Sequence, residues 1–414
     1  MKASAVICEL NPLHSGHAYL LADMRSAVGP TGCVICIQSG AFVQRGTPAV
    51  ADPYVRAEMA LAAGADLVLE LPFPWSAASA EAFATAGVYI AHALGVDTLT
   101  FGSETGDLAR LTAAAKAASS PLLPETYATL CHSGMGTTAA YREALRTNMS
   151  MEIPDDFPSS NDLLGIAYLR ALEHLRDESG DASAVPTPRV VLRRGAAYRE
   201  ATLTPDAYPS ATALRGLIHA AAEDPVALAS ILDGTMPAPC LDILLRAVKT
   251  DGAPCREDAL LSAAQVLFRL SSPDHLAGFA ELGGGLAAHL VSCALESATA
   301  SDFFATARTK QYTDARLRRG MLFALAGVTA EDLSATPEYT VLLGATSRGR
   351  AYLAERRKAA TALPIVTKPA DAPLGRQREL SERADALFTL CMPTPRPAGT
   401  LFRRSPVIFA ENKT

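Results

Sequence analysis

Two histidines near the start of the chain, His14 and His17, are the residues whose type and spacing most clearly predict chemistry. They flank Ser15 and Gly16 directly after the apolar run SAVIC, a pattern typical of the junction between a buried strand and a helix. The unpaired N–H groups and partial positive charge of a helix N-terminus favour a phosphate there. Gly16 lets the backbone approach a ligand closely, and two imidazoles can stabilise charge on a phosphoryl group. We therefore predict phosphoryl chemistry without a covalent nucleophile, with His14 and His17 as catalytic residues.

A second polar segment, SATALR at 210–215, is expected to open a later helix. Its hydroxyl groups, backbone N–H groups and arginine could hold the β- and γ-phosphates of a nucleotide, so Ser210, Thr212 and Arg215 are candidate phosphate-binding residues. The alternative is an ordinary N-capped helix. The H-x-G-H pattern after a strand, followed by a Ser/Thr-rich helix start after the last strand, resembles the nucleotidyltransferase and class I aminoacyl-tRNA synthetase superfamily.

The first two hundred residues predict an α/β scaffold for these segments. The apolar runs SAVIC, CVICIQ, DLVLEL and DTLTF alternate with helical segments, and VVLRR at 190–194 is a plausible fifth strand. Such alternation implies right-handed crossovers and a parallel sheet whose ligand lies beyond the carboxyl ends of the strands. The superfamily resemblance makes this a Rossmann-like sheet of the HUP and nucleotidyltransferase type. We predict a catalytic, ATP-binding domain over 1–222, followed by a mainly α-helical domain over 223–414 that carries basic clusters and is expected to bind tRNA.

Composition favours a globular protein of two domains. The 414 residues are 49% hydrophobic and 19% charged, which is enough apolar material for sizeable cores. The first apolar run breaks at Glu9, before a secretory signal could form, and no later stretch is long enough to span a bilayer. We therefore expect a cytoplasmic protein without a membrane partner. The eight cysteines lack the paired spacing of a zinc site, so they are expected to be buried thiols, and no protein metal site is predicted.

The formal charge of −6 hides an uneven distribution along the chain. Residues 301–414 carry 18 Lys and Arg against 11 Asp and Glu, a net charge of +7. Clusters of positive charge suit a nucleic-acid backbone, and the alternative is a set of solvated helix faces. The candidate nucleic-acid-binding residues are Arg316, Arg318, Arg319, Arg356, Arg357 and Lys358.

Longer segments carry a closer resemblance. ICELNPLHSGH, QSGAFVQRGTPAV, RAEMALAAGADLVLELPFPWSAASAEAFA and FGSE resemble the tRNA(Met) cytidine acetate ligase family through residues 1–104, and the resemblance resumes at SSNDLLGIAYLRAL, LRRGAAYRE and PSATALR. It implies a ligase that uses ATP to activate acetate as acetyl-adenylate and then acetylates N4 of the wobble cytidine of elongator methionine tRNA. It also implies ATP accompanied by Mg²⁺, with acetate and tRNA as partners and the basic clusters as the tRNA-binding surface.

The same resemblance implies the ATP-binding residues, carried over position by position. Gly102 would end a strand where a side chain collides with an adenosine, Asn161 offers a donor and an acceptor for a base or ribose, and Arg193 offers a fork for phosphate. Without the resemblance, Asn161 is predicted to be a helix N-cap and Arg193 a surface charge. The remaining implied residues flank and separate the two histidines: Ile7, Cys8, Glu9, Leu10, Asn11, Pro12, Leu13, Ser15, Gly16, Ala18, Tyr19 and Leu20.

One position departs from the family's pattern. The family usually has lysine after the aspartate of its Q-R-G-x-P-A-x-x-D-K segment, whereas this chain has Pro53. If that lysine served the nucleotide, its role must pass to Gln44, Arg45 or Arg56, or activity is reduced. Proline suits the first turn of a helix, so the substitution is expected to be structurally mild.

Three carboxylates lie nearest the predicted site in sequence: Glu70, Glu81 and Glu104. Any of them could hold magnesium or be structural, and we favour the structural role for Glu70 and Glu81. The turn PFPW at 72–75 could shape a small acyl pocket.

Two other functions fit parts of the sequence. A small-molecule adenylyltransferase that makes a nucleotide cofactor without tRNA is disfavoured by the basic C-terminal region. A nucleotide-binding regulator without turnover is disfavoured by the intact His14, Gly16 and His17.

Overall fold

Eight strands form one mixed sheet in the computed structural model, which describes residues 1–149, 153–154, 156–180, 182–193, 210–357 and 363–409. The strands are β1 (Ala3–Cys8), β2 (Cys33–Ser39), β3 (Leu67–Leu71), β4 (Thr98–Ser103), β5 (Thr187–Leu192), β6 (Thr340–Ala345), β7 (Ile365–Val366) and β8 (Val407–Ile408). Their order is β5-β4-β1-β2-β3-β6-β7, with β8 beside β6. The first five strands pair in parallel, as the alternation of strands and helices predicts.

Several of the helices in this part of the chain begin at a side chain that caps them. Asp52 accepts hydrogen bonds from the backbone N–H groups of Tyr54 and Val55, and Pro53 occupies the first turn, so the departure from the family's lysine is accommodated as expected. The helices of this part are α1 (Ser15–Val28), α2 (Pro53–Ala62), α3 (Ala80–Ala93), α4 (Leu108–Ala118), α5 (Leu123–His132), α6 (Thr137–Thr147), α7 (Ser160–Ser179) and α8 (Ala211–Ala221). Among them, α1, α2, α4 and α8 begin at such a capping side chain.

Helices dominate the rest of the chain. They are α9 (Pro225–Leu232), α10 (Ala238–Lys249), α11 (Asp258–Leu270), α12 (Pro273–Leu276), α13 (Leu286–Glu296), α14 (Ala300–Ala307), α15 (Asp314–Ala326), α16 (Ala330–Ser334), α17 (Ser347–Arg357) and α18 (Arg376–Cys391). Within the described ranges, none of the helices combines the length and apolar character needed to cross a bilayer.

The chain after residue 223 is mainly helical, as the sequence predicts, but it also supplies the strands β6, β7 and β8, which sequence reasoning missed. Residues 340–345 form β6, which pairs antiparallel with β3, so that Leu67 lies opposite Ala345 and Leu69 opposite Leu342. All six residues of β6 are buried. A short apolar run of this kind does not distinguish a buried strand from a piece of helix by its periodicity. The partner strand lies about 270 residues away in sequence, so the pairing depends on the tertiary fold.

Two hydrophobic cores lie on opposite faces of the sheet. Alternate residues of β2 point to each: Ile35 and Ile37 belong to the core under α3 and α7, and Val34 and Cys36 to the core under α1 and α2. The second of these cores also contains residues of α10 and α18, so the helices after residue 222 bury part of the sheet. A third core is built only from residues 264–324. The division at 222/223 stays a prediction.

Candidate active site

A cleft of about 430 Å³ lies at the carboxyl ends of β1, β4 and β5, where parallel sheets of this kind bind ligands. It brings together most of the residues predicted from the sequence. Its walls include Ile7, Cys8, Glu9, Leu10, Asn11, His14, Gly16, His17, Tyr19, Leu20, Gly102, Glu104, Asn161, Arg193, Ser210, Thr212 and Arg215.

Four of the residues predicted between Ile7 and Leu20 lie outside the lining of the cleft. Leu13 is buried in the core under α1, and the hydroxyl of Ser15 donates a 2.8 Å hydrogen bond to the carbonyl of Thr235. Pro12 and Ala18 complete this group. Asn11 lines the cleft but also has a structural role, because its Oδ1 accepts a 2.7 Å hydrogen bond from the backbone N–H of Val50.

The two histidines are oriented by backbone groups at the start of α1. His14 is the N-cap, and its Nδ1 accepts a 3.1 Å hydrogen bond from the N–H of Gly16. His17 Nδ1 accepts a 3.3 Å hydrogen bond from the N–H of His14, and the two ring centroids are 4.0 Å apart. A neutral imidazole that accepts through one nitrogen carries its proton on the other. The hydrogen-bond pattern therefore assigns the Nε2–H tautomer to both rings.

Burial keeps both imidazoles uncharged. Burial, reinforced by the nearby guanidinium groups of Arg193 and Arg215, lowers the pKa of His14 to about 3. Burial also holds the pKa of His17 well below its usual range, with contributions from His14 and Arg193. At neutral pH the histidines are thus neutral hydrogen-bond donors, and the positive charge in this part of the cleft is carried by the two arginines.

A carboxylate connects the residues at the β4 side of the cleft. Glu104 Oε1 accepts a hydrogen bond from the amide of Asn161 and lies 3.6 Å from Arg193 Nε, while Oε2 accepts a 2.6 Å hydrogen bond from the hydroxyl of Ser159. Sequence reasoning considered Glu104 only as a magnesium ligand or a structural residue and missed this connection. Its position directly after the end of β4, three residues beyond the run DTLTF, was the available signal.

Asn161 is not the N-cap of α7, which was its expected role without the family resemblance. Ser159 holds that position, with a capping box to Asp162. The amide of Asn161 is left to face the cleft and Glu104. Arg193 is likewise more than a surface charge, because its backbone N–H bonds the carbonyl of Ser103 at 2.9 Å and its side chain lies 33% exposed beside Glu104.

The start of α8 completes the cleft on another side. Ser210 caps the helix through a 3.1 Å hydrogen bond from the N–H of Ala213, as an ordinary N-cap would. Arg215 donates to the carbonyl of Asn11 at 2.7 Å and to the hydroxyl of Thr212 at 3.1 Å. These contacts fix the guanidinium next to the loop that carries the histidines. The start of α8 is therefore an ordinary N-cap and also brings the predicted phosphate-binding residues to the cleft.

The three residues considered as substitutes for the family's lysine differ in position. Arg56 is fully buried and donates to the backbone carbonyls of Ala51, Glu9 and Ser39 at 2.6–3.0 Å. It therefore ties together the ends of β1 and β2 and is structural. Gln44 and Arg45 line the cleft.

The other two carboxylates lie away from the cleft. Glu81 is 71% exposed and pairs with Arg170 at 3.3 Å. Glu70 lines a separate cavity of about 50 Å³ between α2, β6 and α18, together with Phe73 of the PFPW turn and Asp385. The turn thus contributes to a small cavity, and that cavity contains two carboxyl groups. Trp75 of the same turn is buried in the core under α3.

We expect stability to depend on pH through Glu70. Burial raises its pKa to about 7 from 4.5, with Arg56 opposing and Asp385 adding to the shift. Between these two pKa values the folded protein holds a proton that the unfolded chain releases, so the contribution of Glu70 to stability is fully present below pH 4.5 and is lost as pH rises through 7. Glu70→Gln should remove this decrease and stabilise the protein at pH 8 by about 1–3 kcal/mol.

Urea unfolding of wild type and Glu70→Gln at pH 5 and pH 8 would measure this effect. Glu81→Gln is the control, since its side chain is largely exposed and its stability should follow the wild-type pH dependence. An equal loss of stability between pH 5 and pH 8 in wild type and Glu70→Gln would contradict the prediction.

Several of the basic residues predicted to bind nucleic acid are engaged within the protein. Arg318 forms a bidentate pair with Glu257 at 2.7 and 2.8 Å, and Arg319 pairs with Glu281 at 2.8 Å. Arg316 donates to the carbonyl of Glu281, and Arg356 to that of Gly95. Arg357 ends α17, and Lys358 lies outside the described residues.

No group of three or more His, Cys, Asp or Glu side chains suited to a metal ion occurs in the part of the chain that the structure describes.

The chain is similar to known proteins over almost its whole length. Residues 1–400 match the family described as HIGH Nucleotidyl Transferase. The tRNA(Met) cytidine acetate ligase of Acetivibrio thermocellus is 32% identical over 99% of this chain and 100% of that protein, and that of Syntrophotalea carbinolica is 35% identical over 89% and 85%. A crystal structure of Thermotoga maritima TmcAL bound with alpha-thio ATP has a TM-score of 0.84 and 27% identity, and the match covers 99% of this chain and 100% of that one.

Proposed function

The chain belongs to the HIGH nucleotidyltransferase family, and from that premise we propose that it is a tRNA(Met) cytidine acetate ligase. The observation that carries the proposal is the pair of neutral histidines at the start of α1, whose Nδ1 atoms accept backbone hydrogen bonds and which both line a cleft large enough for a nucleotide. The relatives that match almost the full chain bear this name, and a structural relative binds an ATP analogue. Because tRNA is the proposed substrate, we propose the cytoplasm as the location of the enzyme.

The first step activates acetate. A carboxylate oxygen of acetate attacks the α-phosphorus of ATP, the bond from that phosphorus to the β-phosphate bridging oxygen breaks, and pyrophosphate leaves with the electron pair. Negative charge grows on the phosphoryl oxygens and the leaving group. We assign the Nε2–H groups of His14 and His17 to the phosphoryl oxygens, and Arg215 with Thr212 to the leaving pyrophosphate.

The β4 side of the cleft suits the nucleoside. Glu104 fixes the amide of Asn161 and the guanidinium of Arg193, which leaves the other edge of the amide for a base or ribose. Because the carboxylate partly neutralises Arg193, we assign this end to adenosine and the phosphates to the α1 and α8 ends. The role of these residues is positioning, which lowers the barrier by holding the reactants in attack geometry.

The second step transfers the acetyl group to tRNA. The N4 amine of cytidine attacks the acyl carbon of acetyl-adenylate, the acyl C–O bond breaks, AMP leaves, and the amine loses one proton to solvent. No residue needs to form a covalent bond to substrate. Neither step needs a histidine as a base, which agrees with the assignment of both histidines as hydrogen-bond donors.

Incubation with ATP, labelled acetate and bulk bacterial tRNA, followed by nucleoside analysis, tests the proposal. Label in N4-acetylcytidine and release of AMP and pyrophosphate are the expected results. Nucleotide turnover that produces a dinucleotide and leaves tRNA unlabelled would instead support the small-molecule adenylyltransferase. ATP binding without turnover would support the regulator.

The tRNA surface is proposed to lie on the basic clusters of the C-terminal region. Neutralising Arg316, Arg318 or Arg319 also breaks internal contacts, so those variants test folding as well as binding. Arg350 and Arg403 are exposed and form no ion pair with any described residue. They are better first targets.

We expect Arg350→Gln with Arg403→Gln to weaken tRNA binding and to reduce the slope of log K against log salt by about 1–2, because fewer counterions are released on binding. Affinity measured over a salt series, with ATP affinity as the folding control, checks this. Superimposable salt slopes would mean that these two arginines are solvated charges and that tRNA binds elsewhere.

A further inference from the structure

A short hairpin after β2 forms the wall of the cleft that no ATP-binding residue occupies. It consists of residues 42–48 and is called the 42–48 hairpin. Phe42 and Pro48 form an antiparallel β-bridge, and the N–H of Val43 donates to the carbonyl of Thr47 at 3.1 Å. Its tip turns at Gly46, whose φ is +73°. The side chains that line the cleft from this hairpin are those of Val43, Gln44, Arg45 and Thr47.

Strand order separates this wall from the nucleotide. The residues assigned to ATP come from the ends of β1, β4 and β5 and from the starts of α7 and α8, and β1 lies between β4 and β2. The hairpin follows β2, on the opposite side of the histidine loop. A second substrate that attacks the α-phosphorus must approach from a side that the nucleotide leaves open. We propose that the 42–48 hairpin is the subsite for the acyl substrate and that Gln44 binds its carboxylate.

The side-chain amide of Gln44 is the group that we expect to bind the carboxylate. Its Nε2 is shielded from solvent and has no hydrogen-bond partner, and among the described residues lining the cleft it is the one side chain with such an atom. A buried donor without an acceptor costs free energy unless a ligand supplies the acceptor. The backbone N–H of Gln44 is held by Glu9 Oε1 at 3.0 Å, which fixes the residue beside the histidine loop.

The rest of the hairpin matches the chemistry of a short-chain carboxylate. Arg45 adds a positive charge to a wall that must attract an anion. Val43 is a buried apolar side chain that borders the cleft, next to the position where a short alkyl group would lie. An amide and a guanidinium bind the oxygens, and the valine limits the length of the chain.

Helix α15 holds the hairpin in place from behind. A Cβ atom added at Gly46 would lie 2.6 Å from the backbone nitrogen of Arg319 and 2.8 Å from the carbonyl carbon of Arg318. The tip is therefore packed directly on the helix backbone, and its position depends on that contact. This rigid support suits a wall that must fix a small substrate.

The inference rests on the proposed ligase function and is tested by acetate-dependent exchange of label between pyrophosphate and ATP. Gln44→Leu keeps the approximate size of the side chain and removes the donor. We expect the KM for acetate to rise at least tenfold, with the calorimetric affinity for ATP unchanged. Gln44→Glu should raise the KM for acetate further, because the added negative charge repels acetate. If Gln44→Leu fails to fold, the KM of Gln44→Glu tests the proposal.

Gln311→Leu, at an exposed glutamine far along the chain, is the matched control and should leave the KM for acetate unchanged. A KM for acetate within twofold of wild type in both Gln44 variants would overturn the subsite while leaving the ligase function intact. Absence of acetate-dependent exchange in wild type would overturn the proposed function and the subsite together.

Discussion

Replacing His14 or His17 by alanine should lower the rate of acetyl-adenylate formation by about 10²–10³-fold, the usual loss when one donor to developing charge is removed. Each ring lines the cleft with its proton on Nε2 and contributes no charge of its own, because burial holds both pKa values low. The loss should therefore appear in kcat of acetate-dependent exchange and much less in ATP affinity.

The two variants differ in their effect on folding. His14 caps α1 through its Nδ1, so His14→Ala also removes a cap, at a cost of about 0.5–2 kcal/mol. His14→Asn supplies a cap oxygen without the distal donor, so it should regain that stability while remaining as slow as His14→Ala.

Single-turnover measurement of adenylate formation, with urea unfolding of the same variants, separates chemistry from folding. Exchange within threefold of wild type in His14→Asn and His17→Ala would refute the assignment of the two histidines as catalytic residues.

Gly102→Val is expected to weaken ATP binding by about 100-fold, which corresponds to roughly 2.7 kcal/mol. A Cβ atom at this position would lie 3.2 Å from Arg193 Cγ and 3.6 Å from Cδ. The branched side chain would push Arg193 away from Glu104 and occupy the adenosine end of the cleft. The sequence predicts a direct collision between the new side chain and ATP. The structure indicates a second effect, which is the displacement of the Arg193 side chain.

Calorimetric titration with ATP measures the loss, and thermal unfolding checks the fold. Gly283→Val is the control, because a Cβ atom there meets no atom within 4 Å. Gly102→Ala should be milder, since the flexible arginine can move by a few tenths of an ångström. Wild-type ATP affinity in Gly102→Val would show that the nucleoside lies elsewhere.

Local patterns in the sequence predicted the elements that hold the site. The five parallel strands, the helix starting beside His14 and Gly16, and the helix capped by Ser210 occur where alternating apolar runs and cap residues placed them. Such features depend on neighbours a few residues apart. The convergence of these segments followed from the rule that parallel strands place their carboxyl ends at one edge of the sheet.

Other features of the site depend on contacts between distant parts of the chain. The tautomers of the two histidines follow from the turn geometry. Their low pKa values follow first from burial, to which Arg193 adds at both rings and Arg215 at His14, and both arginines lie more than 170 residues away in sequence. The pairing of β6 with β3, the role of Glu104 beside Asn161, and the burial of Arg56 among backbone carbonyls also leave no local signature. Charge and hydrogen-bond partners are set by packing, and packing is decided by the tertiary structure.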